Sequence, residues 1–162
     1  MTPDIQLNFL PISVNITGKK IMIIGGGKTG LHKATLLSRF TDRAFVVSPE
    51  FHEGFNELPF QKIRKNYERS DLAGVFLLYV CTGDETLNSR IKRDAQEMGI
   101  LTSVCDNPQC CDFISPAIYK EGNVTVAVSS NAENVRQSID IRNRIRQLVA
   151  EGQIRIKRNG TL

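Results

Sequence analysis

The chain has 162 residues, of which 41% are hydrophobic and 23% charged, a balance that suits one globular domain with a sizeable core and room for a small appendage. No apolar run reaches the roughly 20 residues that span a bilayer. Met1-Thr2-Pro3-Asp4 lacks the basic and apolar stretches of a secretion signal, so the expectation is a cytoplasmic protein with no membrane partner.

The net charge is +4, and its placement is uneven. Arg142, Arg144, Arg146, Arg155, Lys157 and Arg158 crowd the C-terminal quarter. They either face an acidic partner (a polycarboxylate, a phosphate or nucleic acid) or solvate a helix and a tail. Cys81, Cys105, Cys110 and Cys111 read as ordinary reduced thiols. Neighbouring Cys110 and Cys111 do not easily bond each other, and no Cys-x-x-Cys pair or nearby histidine completes a metal site.

In chain order, Ile12, Val14 and Ile16 alternate with polar residues, as on a short half-buried strand. After Gly18-Lys19-Lys20, the unbroken run Ile21 to Ile24 predicts a strand covered on both faces. The loop Gly25-Gly26-Gly27-Lys28-Thr29-Gly30 follows, and then Leu31, Ala34, Leu37 and Phe40 recur at helical spacing. Ala44 to Val47 reads as a second buried strand, stopped by Ser48-Pro49. Residues 50–59 read as a loop, and Gln61 to Lys65 as a short edge strand. Val75 to Val80 is the strongest strand. Asp84 can cap the next helix, whose stripe is Leu87, Ile91 and Ala95 and whose end is Gly99. Ile100 to Val104 is another strand.

This alternation predicts an α/β fold, a Rossmann-like parallel sheet over residues 1–112 built from right-handed crossovers. After Pro116 the rhythm changes. Val124 to Val128 reads as a strand and Glu133 to Ala150 as a long helix with the stripe Val135, Ile139, Ile145 and Leu148. Residues 113–150 are expected to be a strand–helix extension that packs on the sheet or on a second subunit, the symmetric dimer being the commonest solution. In the tail, 151–162, Glu151 to Lys157 alternates like an edge strand or is disordered.

Gly25, Gly27 and Gly30 fit the G-x-G-x-x-G pattern between a buried strand and a helix. The first glycine permits a tight turn, the second lets a pyrophosphate approach the backbone, and the third lets helix and strand pack closely. Free N–H groups at the helix start then face the phosphates. The expected cofactor is NAD. No acidic residue ends the second strand, so Ser48, Glu50 or backbone groups are left for the ribose hydroxyls. No arginine adjoins them in sequence to take the extra phosphate of NADP.

Several segments together resemble the precorrin-2 dehydrogenases, the siroheme-synthase N-terminal family. They are Leu10-Pro11-Ile12, the glycine loop with Lys33-Ala34, Val46 to Glu50, and Thr82 to Asn88. The most specific run is Val104-Cys105-Asp106-Asn107-Pro108 continuing to Cys111-Asp112-Phe113-Ile114-Ser115-Pro116-Ala117, and Val126 to Ser130 completes the set. The resemblance spans roughly residues 9 to 149, with the motifs in the expected order. It implies that precorrin-2, a tetrapyrrole with eight carboxylates, loses a hydride to NAD and a proton to give sirohydrochlorin; some members also insert ferrous iron. It implies cofactor contacts from Gly25, Gly26, Gly27, Lys28, Thr29, Gly30, Ser48, Pro49, Glu50 and Thr82, and a dimer-forming helix after Ser130.

The same resemblance implies that Asp106 is the catalytic carboxylate. Its chemistry is coherent, because hydride loss develops positive charge that a carboxylate stabilises and a ring N–H must shed its proton. Read from the residues alone, Asp106-Asn107-Pro108 is first a turn former, and it is the resemblance that favours catalysis. Ser129 and Ser130 either bond a substrate carboxylate or cap a helix. Arg136 and Arg142 either pair with substrate carboxylates or solvate the helix. Asp112 reads as a turn cap, His32 as non-catalytic, and His52 as a loop residue with no visible partner.

Two features depart from the family pattern. Relatives carry a Gly-Gly-x-Ser-Pro type run where this chain has Asn131-Ala132-Glu133-Asn134-Val135. Many relatives also continue into a helical domain beyond the position of Leu162, and its lack bears more on iron insertion than on dehydrogenation. The competing function is a non-enzymatic NAD-sensing module. A nucleic-acid binder ranks last, since no aromatics interleave the basic tail.

Overall fold

The computed structural model describes residues 6–157. Ser13–Phe113 forms one compact unit; the chain from Ile114 onward, with the segment ending at Ile12, forms another.

In the first unit, β1 (Lys20–Ile24), β2 (Ala44–Ser48), β3 (Gln61–Arg64), β4 (Val75–Val80) and β5 (Leu101–Val104) pair in the order β3-β2-β1-β4-β5. Every pairing is parallel. Helix α1 (Lys28–Leu37) links β1 to β2 and α2 (Glu85–Glu97) links β4 to β5. The apolar run of β1 follows from its central place. Successive side chains alternate between faces, so Ile21 and Ile23 join Ala34, Leu37 and Phe55 on the α1 side. Met22 and Ile24 join Leu78, Ile91 and Ala95 on the α2 side. The edge strand β3 is polar at Gln61, Lys62 and Arg64, which blunts an exposed row of backbone groups.

From β1 the chain builds outward through β2 and β3, then crosses back to place β4 on the other side of β1. Such a reversal opens a crevice beyond the carboxyl ends of the strands. Register aligns those ends, with Ile24 opposite both Val47 and Val80, and Val80 opposite Val104.

Some local expectations need correction. Ile12, Val14 and Ile16 form no strand, and Ile12 is 70% exposed. Alternation makes a strand only where a neighbour is available to pair, and both edges of β1 are taken by β2 and β4. Helix α1 stops at Leu37 rather than running to Phe40. The expected loop at 50–59 contains a 3-10 turn, Glu53–Glu57, that buries Phe55. His52 has a partner after all: its Nδ1 accepts the Gly54 N–H at 3.1 Å and caps that turn.

The second unit contains an antiparallel hairpin, β6 (Ala117–Glu121) and β7 (Val124–Val128), and helix α3 (Val135–Ala150). Strand β6 was not expected; Gly122 at φ 57° makes the turn that returns the chain from it to β7. Arg142 of α3 donates to the Ile118 carbonyl at 3.1 Å. Among the described residues of this unit only Ser138 is buried. After α3 the chain turns, and Gln153 and Ile154 bond back to the Leu148 carbonyl, so no strand forms over residues 151–157. Among the described residues no helix is long and apolar enough to cross a membrane.

Candidate functional site

The aligned strand ends deliver Gly25, Ser48, Cys81 and Cys105 to one rim of the sheet. Gly25 holds φ 118°, and a β-carbon there would meet the Cys81 carbonyl oxygen at 2.3 Å. A β-carbon on Gly26 would meet the Glu50 carbonyl oxygen at 2.2 Å, and one on Gly30 the Gly25 carbonyl oxygen at 1.9 Å. These contacts leave no alternative to glycine. Gly27 differs, because a β-carbon there meets nothing within 4 Å. It faces open space at the start of α1, where the first N–H groups of a helix have no intrahelical partner. A cradle of that shape fits a pyrophosphate.

The loop forms one wall of a cavity of about 790 Å³ that also takes in Lys28, Ser48, Pro49, Glu50, His52 and Thr82. Thr29 and Gly30 lie in the first turn of α1. Ser48 is buried at the end of β2, and Glu50 is exposed. Arg64, distant in sequence, stands opposite Ser48 in the β2–β3 register. Its guanidinium is engaged by the Pro49 carbonyl at 3.3 Å and lies over the Phe51 ring.

The cavity is also lined by Asn66, Tyr67 and Arg90, which went unnoticed in the sequence, and by Leu87 from the apolar stripe of α2. Tyr67 donates its hydroxyl to Asp94 Oδ2 at 2.9 Å, and Arg69 reaches Asp94 Oδ1 at 3.2 Å and Glu97 at 2.5 Å. Burial, with the Asp94 carboxylate second, pushes the Tyr67 hydroxyl above its ordinary range. Arg90 stacks over the Tyr67 ring, 5.5 Å from its centroid. Asn66 and Tyr67 sit between strands and Arg90 on the exposed side of α2, so no glycine pattern or periodicity marks them.

Thr82 and Gly83 belong both to this cavity and to a second one of about 540 Å³ lined by Asn88, Lys92, Cys105, Asp106 and Asn107. Asn88 pins the shared rim, donating Nδ2 to the Thr82 carbonyl at 3.0 Å. Asp106 follows β5, exposed and at φ 66°, in the left-handed region that a non-glycine residue seldom occupies. Asp112 is a structural anchor: its Oδ2 accepts the Thr102 N–H at 2.9 Å and Lys92 Nζ at 2.6 Å.

The remaining site candidates lie in the other unit. Ser130 Oγ accepts the Asn134 N–H at 3.1 Å and the Ser138 hydroxyl at 2.9 Å, which ties it to the start of α3. Ser129 and Arg136 are exposed, and Arg142 is held by Ile118 and by Asn143 at 2.8 Å.

Known proteins resemble the chain in sequence and in fold. The chain is 40% identical over 129 residues to a siroheme synthase of Ectopseudomonas mendocina, covering 78% of this chain and 28% of the relative. It is 32% identical over 150 residues to a siroheme synthase of Psychrobacter cryohalolentis, covering 90% and 29%. It therefore spans less than a third of the length of these relatives. Among solved structures, SirC, a precorrin-2 dehydrogenase, shares the fold with a TM-score of 0.73 at 20% identity, over 89% of this chain and 70% of that one. A family model described as putative NAD(P)-binding matches residues 12–117, and the chain belongs to that NAD(P)-binding family.

Proposed function

We propose that this chain binds NAD along the glycine loop and oxidises precorrin-2 to sirohydrochlorin, as a step of siroheme formation. The observation that carries the reading is the shared rim at Thr82–Gly83, which joins the dinucleotide cavity to the one containing Asp106. The names of the siroheme synthases and of SirC point to the same reaction.

When bound, NAD supplies the two-electron acceptor. The protein's own residues do the remaining work. The N–H groups that open α1 hold the pyrophosphate, with Gly27 leaving room for it. Ser48 and Glu50 meet the ribose hydroxyls, while Tyr67 and Arg90 wall the adenosine side. Asp106 stabilises positive charge as it develops on the macrocycle and accepts the pyrrole N–H proton. Arg136, Arg142, Ser129 and Ser130 are assigned to the substrate carboxylates, of which the exposed Arg136 is best suited to a bidentate pairing.

Of the expected division into 1–112, 113–150 and 151–162, we keep a cofactor domain, with Ser13–Phe113 as its compact unit, and a pairing extension that follows it; the segment ending at Ile12 groups with the extension. The extension is assigned to a homodimer. Val135 is 62% exposed and Ile139 38% exposed on one side of α3, and a second copy would cover them. A cytosolic setting accords with four free cysteines.

Asp106→Asn separates the enzyme from a sensor that merely binds NAD. Asparagine tolerates the left-handed backbone but cannot take the proton. An enzyme loses turnover of precorrin-2 and keeps NAD binding. Turnover unaffected by the substitution removes Asp106 from the mechanism.

A further inference from the structure

The four cysteines divide between the two faces of the sheet. Cys110 and Cys111 pack with the α2-side core, and the Cys111 thiol is engaged by both the N–H and the carbonyl of Val104 at 3.2 Å. Cys81 and Cys105 pack together on the α1 side. They occupy equivalent places on neighbouring strands, each one residue beyond the pair Val80 and Val104. The Cys105 N–H donates to the Val80 carbonyl at 2.8 Å, which carries the parallel ladder one step past the strands. Adjacent strands lie about 4.8 Å apart, within the roughly 4.4–6.8 Å Cα separation that a disulfide spans. The two side chains belong to the same packed cluster.

Each thiol also borders a cavity. Cys81 lines the dinucleotide cavity, and Cys105 lines the one containing Asp106. The Cys81 backbone is part of the seat of the glycine loop. Its N–H donates to the Ile24 carbonyl at 2.7 Å, and its carbonyl is the group against which Gly25 packs.

We infer that Cys81 and Cys105 form a peroxide-sensitive dithiol site whose oxidation to a disulfide distorts the glycine loop and weakens dinucleotide binding. The inference rests on the dinucleotide reading of that cavity. The chemistry divides cleanly between the two residues. The neighbouring Cys81 thiol holds the Cys105 thiol below the ordinary cysteine range, helped by the charge of Lys33 and opposed by burial. The Cys105 neighbour, with burial, pushes Cys81 up, so it keeps its proton.

Cys105 as thiolate attacks an oxygen of hydrogen peroxide. An S–O bond forms, the O–O bond breaks and hydroxide leaves, giving a sulfenic acid. The Cys81 sulfur then attacks that sulfur. The S–S bond forms and the sulfenic oxygen departs as water, carrying the Cys81 proton. Two thiols are oxidised by two electrons and one peroxide is reduced to two waters. A thiol reductant reverses the step by exchange.

The test uses the full chain, reduced and then titrated with hydrogen peroxide, with peptide mapping by mass spectrometry under non-reducing conditions and NADH binding followed by fluorescence. The expected result is a Cys81–Cys105 linked peptide and an NADH Kd raised about tenfold or more, restored by dithiothreitol. Cys105→Ser is expected to abolish the response to peroxide, and Cys110→Ser to retain it. A crosslink that maps elsewhere overturns the site. NADH affinity that survives a Cys81–Cys105 crosslink overturns the gating alone. Failure of the reduced protein to bind NADH overturns the dinucleotide reading and the gating with it, and leaves the mapped crosslink as the separate test of the dithiol.

Discussion

The third glycine of the loop, Gly30, lies so close to the first, Gly25, that a β-carbon on Gly30 would stand 1.9 Å from the Gly25 carbonyl oxygen. The helix therefore rests directly on the turn that ends β1. Gly27, between them, has no such neighbour and keeps ordinary extended angles of φ −79° and ψ −167°. The two glycines do different jobs, one for the fold and one for the ligand.

Substitutions separate those jobs. Gly30→Ala overpacks backbone against backbone and is expected to cost at least about 1–3 kcal/mol, read as a fall in the urea midpoint. Gly27→Ala is expected to leave stability within about 0.5 kcal/mol. Its methyl group fills the space left for the pyrophosphate, so NADH binding should weaken about tenfold or more. Equal stability losses at both positions would contradict the division.

The sheet is legible in the sequence where burial on both faces leaves unbroken apolar runs, as in β1 and β4. The glycine loop is legible because Gly25, Gly26 and Gly30 each answer a steric demand of the fold. The walls of the cavity are not. Tyr67 and Arg90 take their places through the crossings that carry the chain from β3 to β4 and into α2, and nothing local signals this. Arg64 comes beside Ser48 only through strand register. Strand β6 escapes notice because its side chains are all half-buried, which blurs the alternation that marks a strand. Conversely, Ile12, Val14 and Ile16 alternate without a partner strand.

Asn131 and Ala132 hold φ 57° and 63°, at the positions where the family pattern has Gly-Gly. Asn131 also uses its side chain: Oδ1 accepts the Phe9 N–H at 2.7 Å, and Nδ2 donates to the Leu7 carbonyl. Ala132→Gly is expected to relieve strain and stabilise by about 0.5 kcal/mol. Asn131→Gly relieves strain too but loses both bonds, for a net loss of about 1 kcal/mol. Urea unfolding distinguishes the two signs.

Tyr67→Phe deprives the buried Asp94 of one of its donors and is expected to cost about 1–2 kcal/mol near neutral pH. The pH dependence has a definite sign. The folded protein holds the Tyr67 hydroxyl above its ordinary value, so its contribution is complete below about pH 10. It is lost as the pH rises from there toward the raised folded value. Stability of the wild type should therefore fall more steeply above pH 10 than that of Tyr67→Phe. Parallel alkaline limbs would contradict the assignment.

The proposed dimer is tested on α3. Replacing Val135 and Ile139 together by Glu puts charge on an apolar stripe and is expected to give a monomer in analytical ultracentrifugation, with NADH binding retained by the separate dinucleotide unit. A doubly substituted chain that sediments as the dimer would move the interface elsewhere.

Anaerobic turnover of precorrin-2 with NAD by the purified chain, with NADH and sirohydrochlorin absorption followed together, bears most directly on the proposed reaction. One NADH is expected for each sirohydrochlorin formed. Tight NAD binding with neither product appearing would contradict the dehydrogenase and leave this chain a dinucleotide-binding module.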